Sequence, residues 1–260
     1  MRKVVSIVYP ALLLLFLTSC KTSSAVSSYG SGTAVADTHV GAVSNRKVHD
    51  VALNGKVYSA VWQQNAGEFK ALCYQAYNAA RQMVDHSKPL AIITDVDETI
   101  LDNSPYAVRQ AELGNEFDIK SWTEWTAKGQ AVAYPGSIAF FNHAAIRNVE
   151  VFYITNRAEA ERDGTLKNLR VLGFPYADEA HLLLMKETSD KEARRQEVLK
   201  NYEVIMYIGD NLNDFSKVFY KLSQEERNKK TDDLSREFGS RFIVLPNSGY
   251  GNWESAMPGY

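Results

Sequence analysis

From residue 90 onward, short apolar runs alternate with stretches in which apolar residues recur every three or four positions. The runs cover 90–93, 149–154, 181–185, 204–208 and 241–245, and the periodic stretches cover 137–147, 158–172, 190–200 and 212–222. Strands this short, buried on both faces and separated by amphipathic helices, predict an α/β fold, a Rossmann-like doubly wound parallel sheet. Upstream, Phe69, Leu72, Cys73, Ala76, Ala80 and Met83 keep a 3.6-residue period, which predicts a further helix with Cys73 on its apolar side. Residues 102–134 break the alternation after the first strand and carry Tyr106, Trp122 and Trp125, so a small helical cap is expected there.

Three of the apolar runs end in polar clusters, namely Thr94-Asp95-Val96-Asp97, Thr155-Asn156-Arg157 and Gly209-Asp210-Asn211. Open parallel sheets bind ligands beyond the carboxyl ends of their strands. The clusters are therefore expected to meet, although 60 residues separate Asp95 from Thr155 and 55 separate Thr155 from Asp210. Asp95 and Asp97 leave one strand together, and Asp210 and Asp214 leave another. Four converging carboxylates repel, each pair by about 4 kcal/mol at ~4 Å and an effective dielectric near ~20. Protons or a cation must compensate. Hard oxygen donors with no His or Cys nearby suit Mg²⁺.

Ahead of the domain, Arg2 and Lys3 precede an apolar run from Val4 to Leu17, broken only by Ser6 and Pro10. That is the order of a secretory signal over 1–19, too short for an ordinary membrane span. Residues 20–45, rich in Ser, Thr, Gly and Ala, read as a flexible tether, leaving 46–260 as the folded domain with its cap insertion. Losing Arg2 and Lys3 with the signal takes the net charge from −2 to −4. A mildly acidic chain has no basic field for a nucleic-acid polymer. Two cysteines and five histidines, without His-Glu-x-x-His or Cys-x-x-Cys spacing, exclude a structural zinc module. Cys73 is expected to be a buried, inert thiol.

The segment Leu17-Thr18-Ser19-Cys20 resembles a bacterial lipobox, in which Cys20 carries the lipid after cleavage. Asp95-Val96-Asp97-Glu98-Thr99, Thr155-Asn156-Arg157, Lys191 and Gly209-Asp210-Asn211-Leu212-Asn213-Asp214 resemble the four motifs of the haloacid dehalogenase superfamily. With the lipobox and Asp102-Asn103-Ser104-Pro105-Tyr106, the chain from about residue 90 resembles the class C, or DDDD, bacterial acid phosphatases. The resemblance implies an Mg²⁺-dependent phosphomonoesterase acting on small molecules, 5′-nucleotides among them. It also implies a lipid anchor in the bacterial envelope, at the outer membrane, and pairing as a homodimer. Asp95 would be the nucleophile and Asp97 the general acid and base. The metal ligands would be the Asp95 carboxylate, the Asp97 backbone carbonyl and the Asp210 carboxylate, with Asp214 orienting groups behind them. Thr155 would bond a phosphoryl oxygen, Lys191 would neutralise charge, and Asn156 would help hold substrate.

Each residue also suits a plainer role. Thr155 suits the cap of a helix beginning near Ala158, and Asp214 suits a first helical turn. Lys186 rivals Lys191, although a helix start aims Lys191 at the phosphate. Arg157 suits either structure or pairing with a carboxylate. Trp122 and Tyr250 suit a clamp on a nucleobase, at about 1–3 kcal/mol per stacked contact, or simple packing of the cap. A non-catalytic surface lipoprotein that captures a ligand, or a glycosyltransferase with Asp-x-Asp, would use part of this set. The first needs no Asp95/Asp97 pair, and the second leaves Asp210, Asp214, Thr155 and Lys191 unexplained.

Overall fold

The structure is a computed structural model that describes residues 45–84 and 90–256, with the side chains of 55–81 and 90–256. The signal segment, Cys20 and the tether up to residue 44 lie outside the described residues. In chain order the strands are β1 (Leu90–Thr94), β2 (Leu101–Asp102), β3 (Val132–Ala133), β4 (Val149–Ile154), β5 (Leu182–Leu183), β6 (Glu203–Gly209) and β7 (Phe242–Val244). All five apolar runs of the sequence are strands of one parallel sheet, in the order β5-β4-β1-β6-β7. The run at 181–185 pairs only over Leu182–Leu183, as befits an edge strand.

Both faces of the sheet are covered, which is why its strands are apolar throughout. On one face, Leu90, Ile92, Val149, Val151 and Tyr153 pack against α2 (Gly67–Val84), α5 (Ser137–Ile146) and α6 (Arg162–Leu172) through residues such as Cys73, Phe141 and Leu169. On the other, Ala91, Ile93, Phe152, Ile154 and Tyr207 meet Val198 of α7 (Glu192–Leu199) together with Phe215 and Phe219. Between Ala91, opposite Val204, and Ile92, opposite Met206, Ile205 is an extra residue, so β6 bulges there. Cys73 is fully buried and free, and burial pushes its thiol up to about 12.

The chain moves outward from β1 to β4 and β5, then returns to place β6 on the other side of β1. The crevice between the carboxyl ends of β1 and β6 is thus the switch point of the sheet. Beside it, β2 and β3 pair antiparallel and enclose α3 (Ser104–Glu112) and α4 (Ile119–Lys128). Asp118 caps α4 by accepting from the Ser121 N–H at 3.1 Å, and Gly129 ends it in the left-handed region at φ 59°. This module is fixed to α6. Asn168 bonds both backbone groups of Ala131, at 3.0 and 2.8 Å. Gly164 lets the Thr126 carbonyl approach so closely that a Cβ there would lie 2.3 Å from it.

The stretch 212–222, predicted as one helix, is instead two 3₁₀ turns, Leu212–Asp214 and Lys217–Phe219. Asn211 and Ser216 each accept from a backbone N–H two residues on, so the chain starts a new turn rather than continuing a helix. The helix follows later as α8 (Gln224–Asp233), which has no apolar residue and so no periodicity to read. A Ser223/Glu226 capping box and the buried Arg227, bonded to the Phe219 carbonyl at 3.1 Å, hold it. Also unread was α1 (Asn45–Asn65), whose Gln63 reaches Asp102 at 2.8 Å. The last helix is α9 (Asn252–Ala256), and among the described residues no helix is long and apolar enough to cross a membrane.

Candidate active site

Asp95 prolongs β1, its N–H donating to the Ile208 carbonyl of β6 at 2.9 Å. Asp210 follows β6 directly, and Asp214 returns beside it over Gly209. A Cβ on Gly209 would lie 2.4 Å from the Asp214 side chain, so only glycine lets the second carboxylate in. Asp95, Asp210 and Asp214 offer carboxylate oxygens within 4.8 Å of one another. Lys191, at the start of α7, bridges two of them, donating to Asp95 and, at 2.6 Å, to Asp214. Asp210 accepts from Asn247 Nδ2 at 2.7 Å and Thr99 Oγ1 at 3.1 Å.

One buried ammonium thus faces three carboxylates, and the imbalance is electrostatically visible. Burial pushes the Asp95 carboxyl up to about 7 despite the opposing pull of Lys191, with Asp214 and Asp97 adding to the rise. Asp210 is raised well above the usual carboxylate range, by burial first and then by Asp214 and Asp95. Burial pulls the Lys191 ammonium down, but Asp214 and Asp95 outweigh it and raise it above the usual lysine range. An all-oxygen donor set, with two of its three carboxylates buried and surplus negative charge, fits a hard divalent cation.

Asp97 adjoins this cluster with its oxygens turned to other partners. Arg157 forks onto it, Nη2 at 2.7 Å and Nε at 3.1 and 3.2 Å. Asn103 Nδ2 adds a bond at 2.8 Å and Thr155 Oγ1 another at 3.3 Å. Of the two roles open to Arg157, it takes carboxylate pairing. Thr155 is fully buried and accepts from the Arg157 N–H at 3.1 Å rather than capping a helix. Lys186 is exposed and forms no ion pair with the cluster among the described residues, so the buried cation is Lys191.

The expected substrate contacts are more dispersed. Asn156 is exposed, and its Oδ1 accepts from Arg194 Nη2 at 2.8 Å. Trp122 stands at the rim, edge-on to Tyr106 at 5.1 Å and over the Arg157 guanidinium at 5.8 Å. The Tyr250 ring is 43% exposed while its hydroxyl donates to Glu98. Among the described aromatic pairs, Trp122 and Tyr250 do not meet each other. Trp122 meets Arg157, a partner of Asp97, whereas Tyr250 meets Glu98.

Four further residues, Glu98, Asn103, Arg194 and Arg195, brace the site. Glu98, at φ 53°, is buried and accepts from Asn103 N at 2.9 Å and from Tyr250, and burial pushes its carboxyl up to about 8. Asn103, like Glu98, stands in the sequence only as a member of a motif. Arg194 bonds the Thr155 carbonyl, and Arg195 bonds the carbonyls of Asn213 at 2.8 Å and Asp214 at 3.2 Å. The two arginines tie the loops after β4 and β6 to α7. Their signal was Lys191-Glu192-Ala193-Arg194-Arg195, three cations at one helix start.

Residues 18–253 match the family model of the HAD superfamily, subfamily IIIB (acid phosphatase). The class C acid phosphatase of Bacillus anthracis, solved with tungstate bound, is 37% identical, with a TM-score of 0.75 over 78% of this chain and 88% of that one. A second structure of that phosphatase gives 36% identity and the same TM-score over 79% and 89%. A Glycine max stem 28 kDa glycoprotein is 25% identical over 162 residues, 58% of this chain and 62% of its own. Acid phosphatase 1 of Solanum lycopersicum is 28% identical over 131 residues, 47% and 50% of the two chains. The chain therefore spans about half to three-fifths of these curated relatives. Fold, strand-end chemistry and family model agree, and the chain belongs to the haloacid dehalogenase superfamily, among the subfamily IIIB acid phosphatases.

Proposed function

We propose that this protein hydrolyses phosphomonoesters, 5′-nucleotides among them, through a phosphoryl group carried on Asp95. The observation that carries the proposal is the buried Asp95–Lys191–Asp214 bridge beside Asp210 at the switch point of the sheet. The tungstate held by the Bacillus anthracis relative supports a site for a phosphate-like oxyanion. An Mg²⁺ ion held by the Asp95 carboxylate, the Asp97 backbone carbonyl and the Asp210 carboxylate would supply charge neutralisation for the phosphoryl oxygens.

In the first step an Asp95 oxygen forms a bond to phosphorus as the ester P–O bond breaks, and Asp97 gives its proton to the departing oxygen. In the second, a water oxygen bonds phosphorus, its proton passes to Asp97, and the bond to Asp95 breaks. The products are an alcohol and inorganic phosphate. Lys191 keeps Asp95 oriented and offsets charge near it. Thr155, whose hydroxyl donates to Asp97 at 3.3 Å, would turn that donor to a phosphoryl oxygen. Trp122 and Tyr250 would border the leaving group, with Asn156 at the rim.

Anchoring through Cys20 at the outer membrane, and pairing of two copies, belong to the same proposal. The lipobox-like segment supports the anchor. The test is phosphate release from 5′-AMP by the full chain in detergent, with Mg²⁺, with chelator, and with Asp95→Asn. The expected result is turnover that needs the metal and falls at least ~10³-fold in the variant. A folded, metal-loaded protein inert toward every phosphomonoester would refute catalysis and favour a ligand-binding lipoprotein.

A further inference from the structure

Two tryptophans three apart on α4 each hold one partner of Asp97. Trp122 lies over the Arg157 guanidinium, Cζ 5.8 Å from the ring centroid. Trp125 donates its indole N–H to Asn103 Oδ1 at 2.8 Å. An indole nitrogen only donates, so this bond fixes which end of the Asn103 amide faces Asp97, and Nδ2 reaches Asp97 Oδ1 at 2.8 Å. The fork of Arg157 onto Asp97 is fixed from behind as well, because its Nη1 donates to Thr165 Oγ1 at 3.0 Å. Thr165 follows Gly164, where α6 and α4 touch backbone to backbone. The side chains of Arg157 and Asp97 are 1% and 15% exposed, so solvent does not compete strongly for these bonds.

We infer that α4 is part of the acid–base machinery, with Trp125 and Arg157 as positioning residues that set the Asp97 carboxylate through Asn103 and directly. The inference rests on Asp97 being the acid and base of the proposed reaction. It differs from a role for the cap as a wall for the leaving group. A carboxylate fixed by a planar fork and an amide is pre-organised for proton transfer to one point in space.

The variants are Trp125→Phe, which keeps a ring but loses the N–H, and Arg157→Lys, which keeps the charge but loses the fork. Each is compared with the parent on phenyl phosphate and 4-nitrophenyl phosphate, in the full chain with Mg²⁺. The two rings have nearly the same shape, but nitrophenolate departs without a proton and phenolate needs one. Expected is a kcat/KM loss about tenfold or more greater on phenyl than on nitrophenyl phosphate, within the range of general acid catalysis. A stopped-flow burst of close to one nitrophenolate per protein should accompany it, because the phosphoryl group on Asp95 then waits for its water.

Equal losses on both substrates through KM alone would assign the pair to substrate contact and overturn the inference. A lower melting temperature with unchanged substrate ratio and no burst would assign it to folding alone, and also overturn it. Asp97→Asn separates the layers. If it leaves the substrate ratio unchanged while Asp95→Asn is inactive, the acid–base reading of Asp97 fails and takes this inference with it. If it steepens the ratio and the two positioning variants do not, the inference alone fails.

Discussion

Replacing Lys191 with methionine removes the one ammonium from a cluster of three carboxylates, two of them buried and Asp210 half-buried, while keeping most of the aliphatic stem. The Lys191 side chain is 5% exposed, and its Nζ stands 2.6 Å from Asp214 Oδ1 as well as against Asp95. At 2.6 Å and an effective dielectric near ~20, one such contact is worth about 6 kcal/mol before desolvation is counted. Relief of the buried ammonium's own desolvation returns several of those, and deleting one partner of a buried pair typically costs about 3–5 kcal/mol. For a chain of this size that corresponds to a melting temperature lower by roughly 6–20 °C.

The loss is expected to depend on pH. Burial holds Asp95 at about 7 against 3.8 for the free carboxyl, with Lys191 pulling it down. A carboxyl raised in the folded state keeps a proton that the unfolded chain has released, so its presence lowers stability as pH rises through that window. Without Lys191 the folded value climbs further. At pH 5 the variant answers by protonating its carboxylates and loses little, whereas at pH 8 it bears the full cost. Urea denaturation in chelator at pH 5 and pH 8 reads the difference. The same loss at both pH values, or none at pH 8, would mean that Lys191 contributes packing and no charge compensation.

Gly164→Ala forces a Cβ against the Thr126 carbonyl, 2.3 Å away and part of the backbone, so it should cost about 1–3 kcal/mol in a thermal melt. An unchanged melt would mean that α4 is free to move off α6. Tyr250→Phe takes one donor from the buried Glu98, whose carboxyl burial has pushed up to about 8 and Tyr250 helps to lower. Its stability loss should be about 1–3 kcal/mol at pH 9, where that carboxyl is ionised, and smaller at pH 6, read by melting at both. Mg²⁺ at ~100 times its dissociation constant should stabilise the folded chain by about 2.7 kcal/mol. Asp210→Asn should abolish that shift, whereas Asp118→Ala, which removes the cap of α4, should lower the melt but retain it.

What the sequence discloses here is the type of each group and its place on a strand end, because period and polarity are local properties. Five apolar runs are enough to assemble the sheet, and the acid residues that close two of them, after 90–93 and 204–208, bring Asp95, Asp210 and Asp214 to one crevice. Where a run had no apolar pattern, as in Gln224–Asp233, the helix stayed invisible, since capping and one buried arginine carry it instead. Where the pattern was present but a polar side chain recaptured the backbone, as at Ser216, a helix was read that the chain does not form.

The pairing of groups is a different matter. Arg157 and Asp97 lie 60 positions apart, and Trp125 and Asn103 lie 22 apart. Nothing in composition says that one arginine will face one aspartate, because Lys191, Arg194 and Arg195 were equally available to it. The geometry of the parallel sheet decides, by setting the end of β4 beside the end of β1, while α7 reaches the ends of β1, β4 and β6 through Lys191, Arg194 and Arg195. The result is a division of labour among like charges. A lysine, compact and with three donors, bridges two carboxylates that must stay close to each other. An arginine, planar and forked, holds the one carboxylate that must point in a fixed direction. In the reaction proposed for this site, that difference in shape separates the charge-compensating half of the site from its proton-transferring half.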